Sequence, residues 1–283
     1  MQWNTELTTL EKFKRSMGLD DENERYREVV RDASRFITQT TRRWFVPYRA
    51  TRTFDARGDH INAWRLNLDA DLLAIETMTN GNGTAFLSTD YVLHRANAYP
   101  KRRVLLKDSA SQTFTYDDDW EDAISIDGIW GYHENYPLAW VNTNETVPGG
   151  GMTASVTTLT LTDIDARDAQ YNKRVETFDI LRIDDEYLRV MEINTTTNVI
   201  TLLRGQLGTT AATHDASTII YKWVVHEDIT RACIALATWM ERTRKNFGET
   251  IQFINGTLVS TNEVPKNIMD ALEHYRVTGL YAL

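Results

Sequence analysis

Residues 123–140 read AISIDGIWGYHENYPLAW, and the reading of the fold turns on whether this stretch is a site or a scaffold. It gathers Trp130, Tyr132, His133, Glu134, Tyr136 and Trp140 around Asp127 and Gly128. Carboxylates, an imidazole and flat aromatic faces are the residue types of a sugar-cleaving floor. Glycoside hydrolysis needs two carboxyl groups facing each other across the scissile bond, one of them with a raised pKa. Asp127 and Glu134 match that need by type only. Asp127-Gly128 carries a turn signal, and Ile124, Ile126 and Ile129 fall at core positions of strands flanking it. The stretch therefore reads as architecture, with Trp130 and Tyr132 packing a β-region or filling a subunit interface.

The sequence on either side agrees. From Tyr48 to Trp140 short β-rich pieces alternate with turn signals: RATRTFDA, AWRLNL, LLAIETMTN, DYVLH and RRVLL. The Asn-Gly within TNGNGTAF predicts a hairpin turn. Lys101, Arg102 and Arg103 open one of these strands, where charge guards a sheet edge or makes inter-subunit salt bridges. VPGGGMT, residues 147–153, reads as a linker. Beyond it, TTLTLTD, FDILRIDDEYLRVMEIN and NVITLLRG are strand-like, and RGQLGTTAATHDASTIIYKW closes a second small all-β unit.

Both ends of the chain switch to a helical period. Leu7, Leu10, Phe13 and Met17 recur at helical spacing, with a capping-box pair at Thr8 and Glu11 and a stop at Gly18. Asp20 and Asp21 offer an N-cap for a second helix. Its stripe is Tyr26, Val29, Val30, Ala33 and Ile37, and Pro47 forbids continuation. Near the other end Ile229, Ala232, Cys233, Leu236 and Met240 form a stripe, and Ile268, Ala271, Leu272 and Tyr275 another, after Pro265. Each stripe needs a partner, and packing the N-terminal pair on the C-terminal pair satisfies all four. The expected fold is α+β. A helical bundle is formed by the N- and C-terminal helix pairs (residues 1–50 and 224–283). A central β-rich region (51–148) and an inserted all-β sandwich or barrel module (149–223) complete it.

Composition narrows function. At 42% hydrophobic and 25% charged, 283 residues can bury a core without staples, and one cysteine makes no internal disulfide. The longest apolar run, ACIALATWM, is too short to span a bilayer, and the N-terminus has no apolar signal core, so a soluble protein made in the cytoplasm is expected. A net charge of −9 opposes binding driven by phosphate neutralisation, though not a surface that DNA slides past. Phosphate-cradling and nucleophile-elbow motifs are missing, and His226-Glu227 lacks the second histidine of a zinc helix because Thr230 stands there. DDDWED (Asp117–Asp122) and the Asp163, Asp165, Asp168 series lack the glycine of a calcium loop and read as solvated turns. No catalytic, cofactor-binding or metal-binding residue is expected.

The order of elements resembles a known family. LEKFKRSMGLDDENERYREVVRDASRFITQTTRRWF is similar to the start of head–tail connector (adaptor, head-completion) proteins of tailed bacteriophages. Those open with a short helix, a G-[LI]-x-D-D turn, here Gly18 to Asp21, and a long helix. The helix ends in an Arg-rich aromatic segment, here Arg42, Arg43, Trp44 and Phe45. ISIDGIWGYHE resembles their glycine-tryptophan-glycine turn. HEDITRACIALATWMERTR with PKNIMDALEHYRV resembles their closing helix pair. RGQLGTTAATH resembles a β-module of phage tail and fibre proteins, and residues 149–223 depart from short connectors.

The resemblance implies a non-enzymatic virion protein of the neck, assembled in the host cytoplasm as a homo-oligomeric ring, usually of twelve copies. The ring docks on the portal protein, extends the DNA channel and receives the next neck or tail-completion protein. Double-stranded DNA passes its lumen without specific binding, and no membrane is involved. The implied docking residues are Tyr275, Arg276, Tyr281 and Leu283. The implied subunit-interface residues are Arg42, Arg43, Trp44, Arg102, Arg103, Trp130 and Tyr132. The alternatives are a carbohydrate-binding or carbohydrate-cleaving virion protein, or a tail or baseplate component.

Overall fold

The computed structural model describes residues 5–19, 24–167, 173–244 and 263–277, and the backbone of 251–254 and 257–260. The elements in chain order are α1 (Leu10–Met17), α2 (Glu24–Thr41), β1 (Tyr48–Phe54), β2 (Ile61–Asn62), β3 (Arg65–Thr79), β4 (Tyr91–His94), β5 (Lys101–Leu106), β6 (Ile124–Trp130), β7 (Trp140–Thr146) and β8 (Thr158–Thr160). They continue with β9 (Ile180–Ile183), β10 (Glu186–Asn194), β11 (Val199–Leu203), β12 (Ile219–Trp223), α3 (Glu227–Thr243), β13 (Ile251–Ile254), β14 (Thr257–Ser260) and α4 (Lys266–Glu273).

The expectation of a fold organised on a helical bundle, with a β-rich region and an inserted all-β module attached, is overturned. Two six-stranded antiparallel sheets hold more of the described chain than the four helices do, and the helices belong to the unit of one of them. The physical reason lies in signal density. A 3.6-residue stripe concentrates in one uninterrupted run, whereas strand signal is divided among short pieces with bulges between them. AWRLNL and LLAIETMTN, read as separate strands, are one 15-residue strand, β3, kinked by register shifts after Asn67, Leu72 and Ile75.

The chain divides into two compact units. One comprises residues 43–140 with 207–209, and its sheet runs β1-β6-β3-β5-β4, with β2 added on β3. Leu66, Leu68, Leu72, Val104, Ile124, Ile126 and Trp130 fill its core. The opening stretch lies at its centre, and the expected Asp127-Gly128 turn does not exist there. β6 passes straight through both residues, paired with β1 on one side and β3 on the other. Gly128 is required for a different reason. A Cβ there would lie 2.5 Å from the Ala74 carbonyl oxygen, so the glycine permits close backbone approach beside the bulge in β3. β5 is likewise interior, between β3 and β4, so Lys101–Arg103 guard no edge. The Lys101 ammonium caps the Arg95 and Ala96 carbonyls, each at 2.7 Å. The Asn-Gly turn does reverse the chain: Asn80 N–H donates to Thr84 O, and the Asn80 amide is anchored to Gln112 and Thr113.

The other unit comprises the described residues up to 42, 141–206 and 210–277. Its sheet order is β7-β12-β9-β10-β11-β8. Residues 147–153 are not a linker. Val147 and Met152 are buried core residues, Val147 N–H donates to Thr218 O, and Met152 and His214 exchange backbone bonds. The glycines serve a tight turn, with Gly151 in the left-handed region at φ +70°, which favours a residue lacking Cβ. Leu159, Leu181, Ile183, Leu188, Ile200 and Ile220 build the core on one face of the sheet. Arg189, of opposite parity to Leu188, reaches the segment that precedes α1 instead, where it pairs with Glu6.

Those helices pack on one another, α2 on α3, α1 on α3 and α4 on both α2 and α3. Their apolar stripes bury Phe13, Val30, Ile37, Ile229, Leu236 and Leu272. Thr9, one position after the expected cap, accepts from Lys12 N–H, and Gly18 closes α1 in the left-handed region. The expected cap at Asp20 and Asp21 lies outside the described residues. Leu7 is threaded between α2 and α3, its N–H donating to Ser34 Oγ and its carbonyl accepting from Thr230 Oγ1. Cys233 packs 3.4 Å from the same serine, and burial pushes its thiol up to about 12, which leaves it inert. The hairpin β13–β14 was not anticipated from the sequence.

Candidate functional site

Three of the expected interface residues converge in the unit of residues 43–140. β3 alternates Leu66, Leu68 and Ala70 with Asn67, Asp69 and Asp71, which sends Asp71 away from the core. Its carboxylate accepts from Arg43 at 2.6 Å and from both Nε (2.8 Å) and Nη2 (2.6 Å) of Arg102. Arg43 also lies over the Tyr132 ring at 4.3 Å, and the Tyr132 hydroxyl donates to Glu134 Oε1 at 2.8 Å. Asp71 is buried while the Arg102 side chain stays 40% exposed, so the cluster presents one guanidinium edge to solvent. Asp71 is the hub, and sequence reasoning missed it. Its signal was the period-2 placement of Asp69 and Asp71 opposite the leucines.

The remaining interface candidates scatter. Arg103 donates to Asn67 at 2.8 Å, a cross-strand contact explained by the β3–β5 register. Trp44 packs edge-on to Tyr48. Trp130 is fully buried, its indole N–H donating to Ala50 O and Arg52 lying over its ring. That is the packing role, and no surface of Trp130 is offered to a neighbour. Arg42, at φ 56°, follows α2 and ends the first segment of the helix-containing unit. Of the two carboxylates that match a glycosidase by type, Asp127 is half-buried on β6 and accepts from Thr51 Oγ1, and Glu134 is tied to Tyr132. His133 Nδ1 accepts from Asn135 N–H.

The RGQLGTTAATH stretch builds a second polar centre, in the helix-containing unit. Arg204 grips Glu186 through two bonds of 2.7 Å and also donates to the carbonyls of Thr153, Val156 and Ala212. His214 lies between Glu186 and Asp184, 2.8 Å from each. Gly205 and Ala212 add backbone N–H donors to Glu186. Burial alone raises the Glu186 pKa, but these bonds outweigh it and carry the carboxyl down to about 2. Arg204 and His214 thus close both ends of the 205–213 turn onto one buried carboxylate. The sequence displayed the arginine and histidine, but nothing in it pointed to Glu186.

Among the expected docking residues, Tyr275 is buried, and its hydroxyl meets His226 Nδ1 at 3.1 Å and Asp228 Oδ2 at 3.3 Å. Arg276 is half-exposed beside Glu273. Tyr281 and Leu283 lie outside the described residues. Beyond α4, Val277 N–H donates to Thr41 O. A third buried group joins α1 to the 176–179 turn. Thr9 donates to Glu176, Glu11 accepts from Thr177, and Asp179 accepts from Glu176 N–H at 2.7 Å. Burial lifts Asp179 to about 6 despite Lys222 at 3.7 Å.

Among the described residues no group of three or more His, Cys, Asp or Glu side chains could hold a metal ion. Asp168 of the acidic series lies outside them. No described helix is long and apolar enough to cross a membrane. A scan of protein-family models and a search of curated proteins both return no match to this chain.

Proposed function

We propose that this chain is a structural subunit of a head–tail connector ring in a tailed bacteriophage, docking under the portal and extending the DNA channel. The observation that supports this reading is the meeting of the chain's two ends. The resembling opening stretch forms α1 and α2, the resembling closing stretch forms α3 and α4, and the four pack together. A connector that is mostly sheet is compatible with this, because the helical ends carry the resemblance and the sheets enlarge the subunit. The net charge of −9 fits a lumen that packaged DNA crosses without counterion-release binding. Arg102, half-exposed above Asp71, is the subunit-contact residue best placed to reach a neighbour.

The test is to mix the purified chain with the purified portal of the same virus and follow co-sedimentation. A stable complex is expected. A monomer that ignores the portal but cleaves or binds a polysaccharide would overturn the proposal in favour of a carbohydrate-active virion protein.

A further inference from the structure

The His214 side chain, at the end of the 205–213 turn, is 1% exposed, and both of its ring nitrogens face acids. Nδ1 lies 2.8 Å from Asp184 Oδ2, and Nε2 lies 2.8 Å from Glu186 Oε2. The backbone holds all three in place. Asp184 stands in the two-residue turn between β9 and β10, at φ 49°, closed by the pairing of Ile183 with Glu186. Glu186 is held by Arg204 and by the amides of Gly205 and Ala212. His214 exchanges backbone bonds with Met152.

A neutral imidazole has one N–H and one lone pair. Between two carboxylates it satisfies one oxygen and turns its lone pair on the other. The doubly protonated ring donates to both. Charge balance points the same way. The ring's hydrogen-bonded partners are Glu186 and Asp184, and Arg204 acts on it through Glu186. One guanidinium balances one carboxylate, which leaves the other for an imidazolium. The 147–153 turn, paired with His214 at Met152, carries no titratable side chain. Asp185 and Asp215, next in sequence to Asp184 and His214, are exposed, and as acids they act in the same direction. Glu186 stays an acceptor, its carboxyl being carried down to about 2.

We propose that His214 is a proton-operated latch: its imidazolium ties the β9–β10 turn to Glu186 and holds the 205–213 turn closed, and loss of one ring proton opens that turn. The direction follows from the donor count. The protonated ring holds both acids. As pH rises and the ring gives up a proton, one nitrogen becomes an acceptor facing a carboxylate, and the exposed Asp184 is the arm free to swing away.

Long-range proton–nitrogen correlation spectra of the isotope-labelled full chain, recorded from about pH 5 to about pH 9, read the protonation of each histidine ring nitrogen. H214Q assigns the His214 signals by their loss. Both His214 nitrogens should carry protons at the acid end, and one should lose its proton within the range. Amide-exchange protection of Gly205 and Ala212, corrected for the intrinsic rate, should fall about tenfold or more over the same step, the loss expected when a charge-assisted bond goes. Protection in β6 should not follow that step. In H214Q the protection of Gly205 and Ala212 should no longer change across it. D184N removes one carboxylate from an exposed side chain, which spares the fold, and should bring the step to lower pH, a shift that a purely structural histidine would not give. Should H214Q fail to fold, D184N both assigns the ring by the shift of its signals and decides the question. Three results would overturn the proposal: one bare ring nitrogen across the whole range, a step that leaves the protection of Gly205 and Ala212 unchanged, or a step unmoved in D184N. A ring that keeps both protons throughout would also overturn it, making His214 a fixed ion pair.

Discussion

Replacing Glu186 with glutamine should loosen the closing knot of the β7–β12 sheet and leave the sheet of residues 43–140 unchanged. The Glu186 side chain is 1% exposed and that of Arg204 6%, so both charges are out of water. Each carboxylate oxygen accepts from Arg204, and the backbone amides of Gly205 and Ala212 and the His214 ring complete the set. Glutamine keeps one acceptor oxygen and turns an amide NH2, itself a donor, toward groups that donate. Breaking a buried ion pair from one side costs about 3–5 kcal/mol, and the lower end applies because Arg204 keeps its three carbonyl acceptors. At ~2–4 °C per kcal/mol for a unit of this size, a loss of about 3 kcal/mol lowers Tm by roughly 6–12 °C.

The pH dependence has a definite sign. The folded carboxyl titrates at about 2, below its ordinary value of 4.5, so its stabilisation is full above the ordinary value and is lost as pH falls through about 2. The gap between wild type and E186Q should therefore narrow in acid. Because the chain has two units, hydrogen exchange resolved by peptide is the suitable assay, read alongside thermal denaturation. Protection should fall across residues 180–223 and hold across 48–130. A variant within about 0.5 kcal/mol of wild type, or equal loss in both units, would refute the reasoning.

Gly128→Ala places a Cβ against the Ala74 carbonyl in a strand paired on both sides, and should cost the other unit about 2–4 kcal/mol in urea unfolding followed by tryptophan fluorescence. Asp71→Asn strands Arg43 and Arg102 and should cost about 2–3 kcal/mol, discounted because Arg102 is partly exposed; Arg102→Ala should cost far less in the same experiment. Asp179→Asn reports the opposite pH sign from Glu186. The Asp179 carboxyl is raised to about 6 from 3.8, so its folded state is favoured at low pH and that advantage is lost as pH rises through about 6. Relative to wild type, the variant should gain about 1–3 kcal/mol in thermal stability between mildly acid and mildly alkaline pH.

The helices were legible because each carries a continuous stripe with a cap or stop nearby, as Gly18 shows for α1. The sheets were legible as strand content but not as organisation. Asp127-Gly128 has the composition of a turn, and only the bulged approach of β3 explains a glycine in mid-strand. Residues 147–153 have the composition of a linker, yet Val147 and Met152 are core residues at the start and end of a tight turn. In both cases local residue type was outweighed by which strand lies alongside, a property that sequence spacing does not carry. The polar centres divided in the same way. Arg43, Arg102 and Tyr132 stood out as large, charged or aromatic residues, whereas Arg204 and His214 appeared only within the RGQLGTTAATH stretch. Their shared partners, Asp71 and Glu186, are single acids within ordinary strands, brought into place by cross-strand register.

The connector proposal rests most directly on assembly. Native mass spectrometry and electron microscopy of the chain mixed with the portal of its own virus measure that assembly. A closed ring of this chain coaxial with the portal, with an open central channel, is the predicted result. A chain that stays monomeric beside intact portal rings would contradict it.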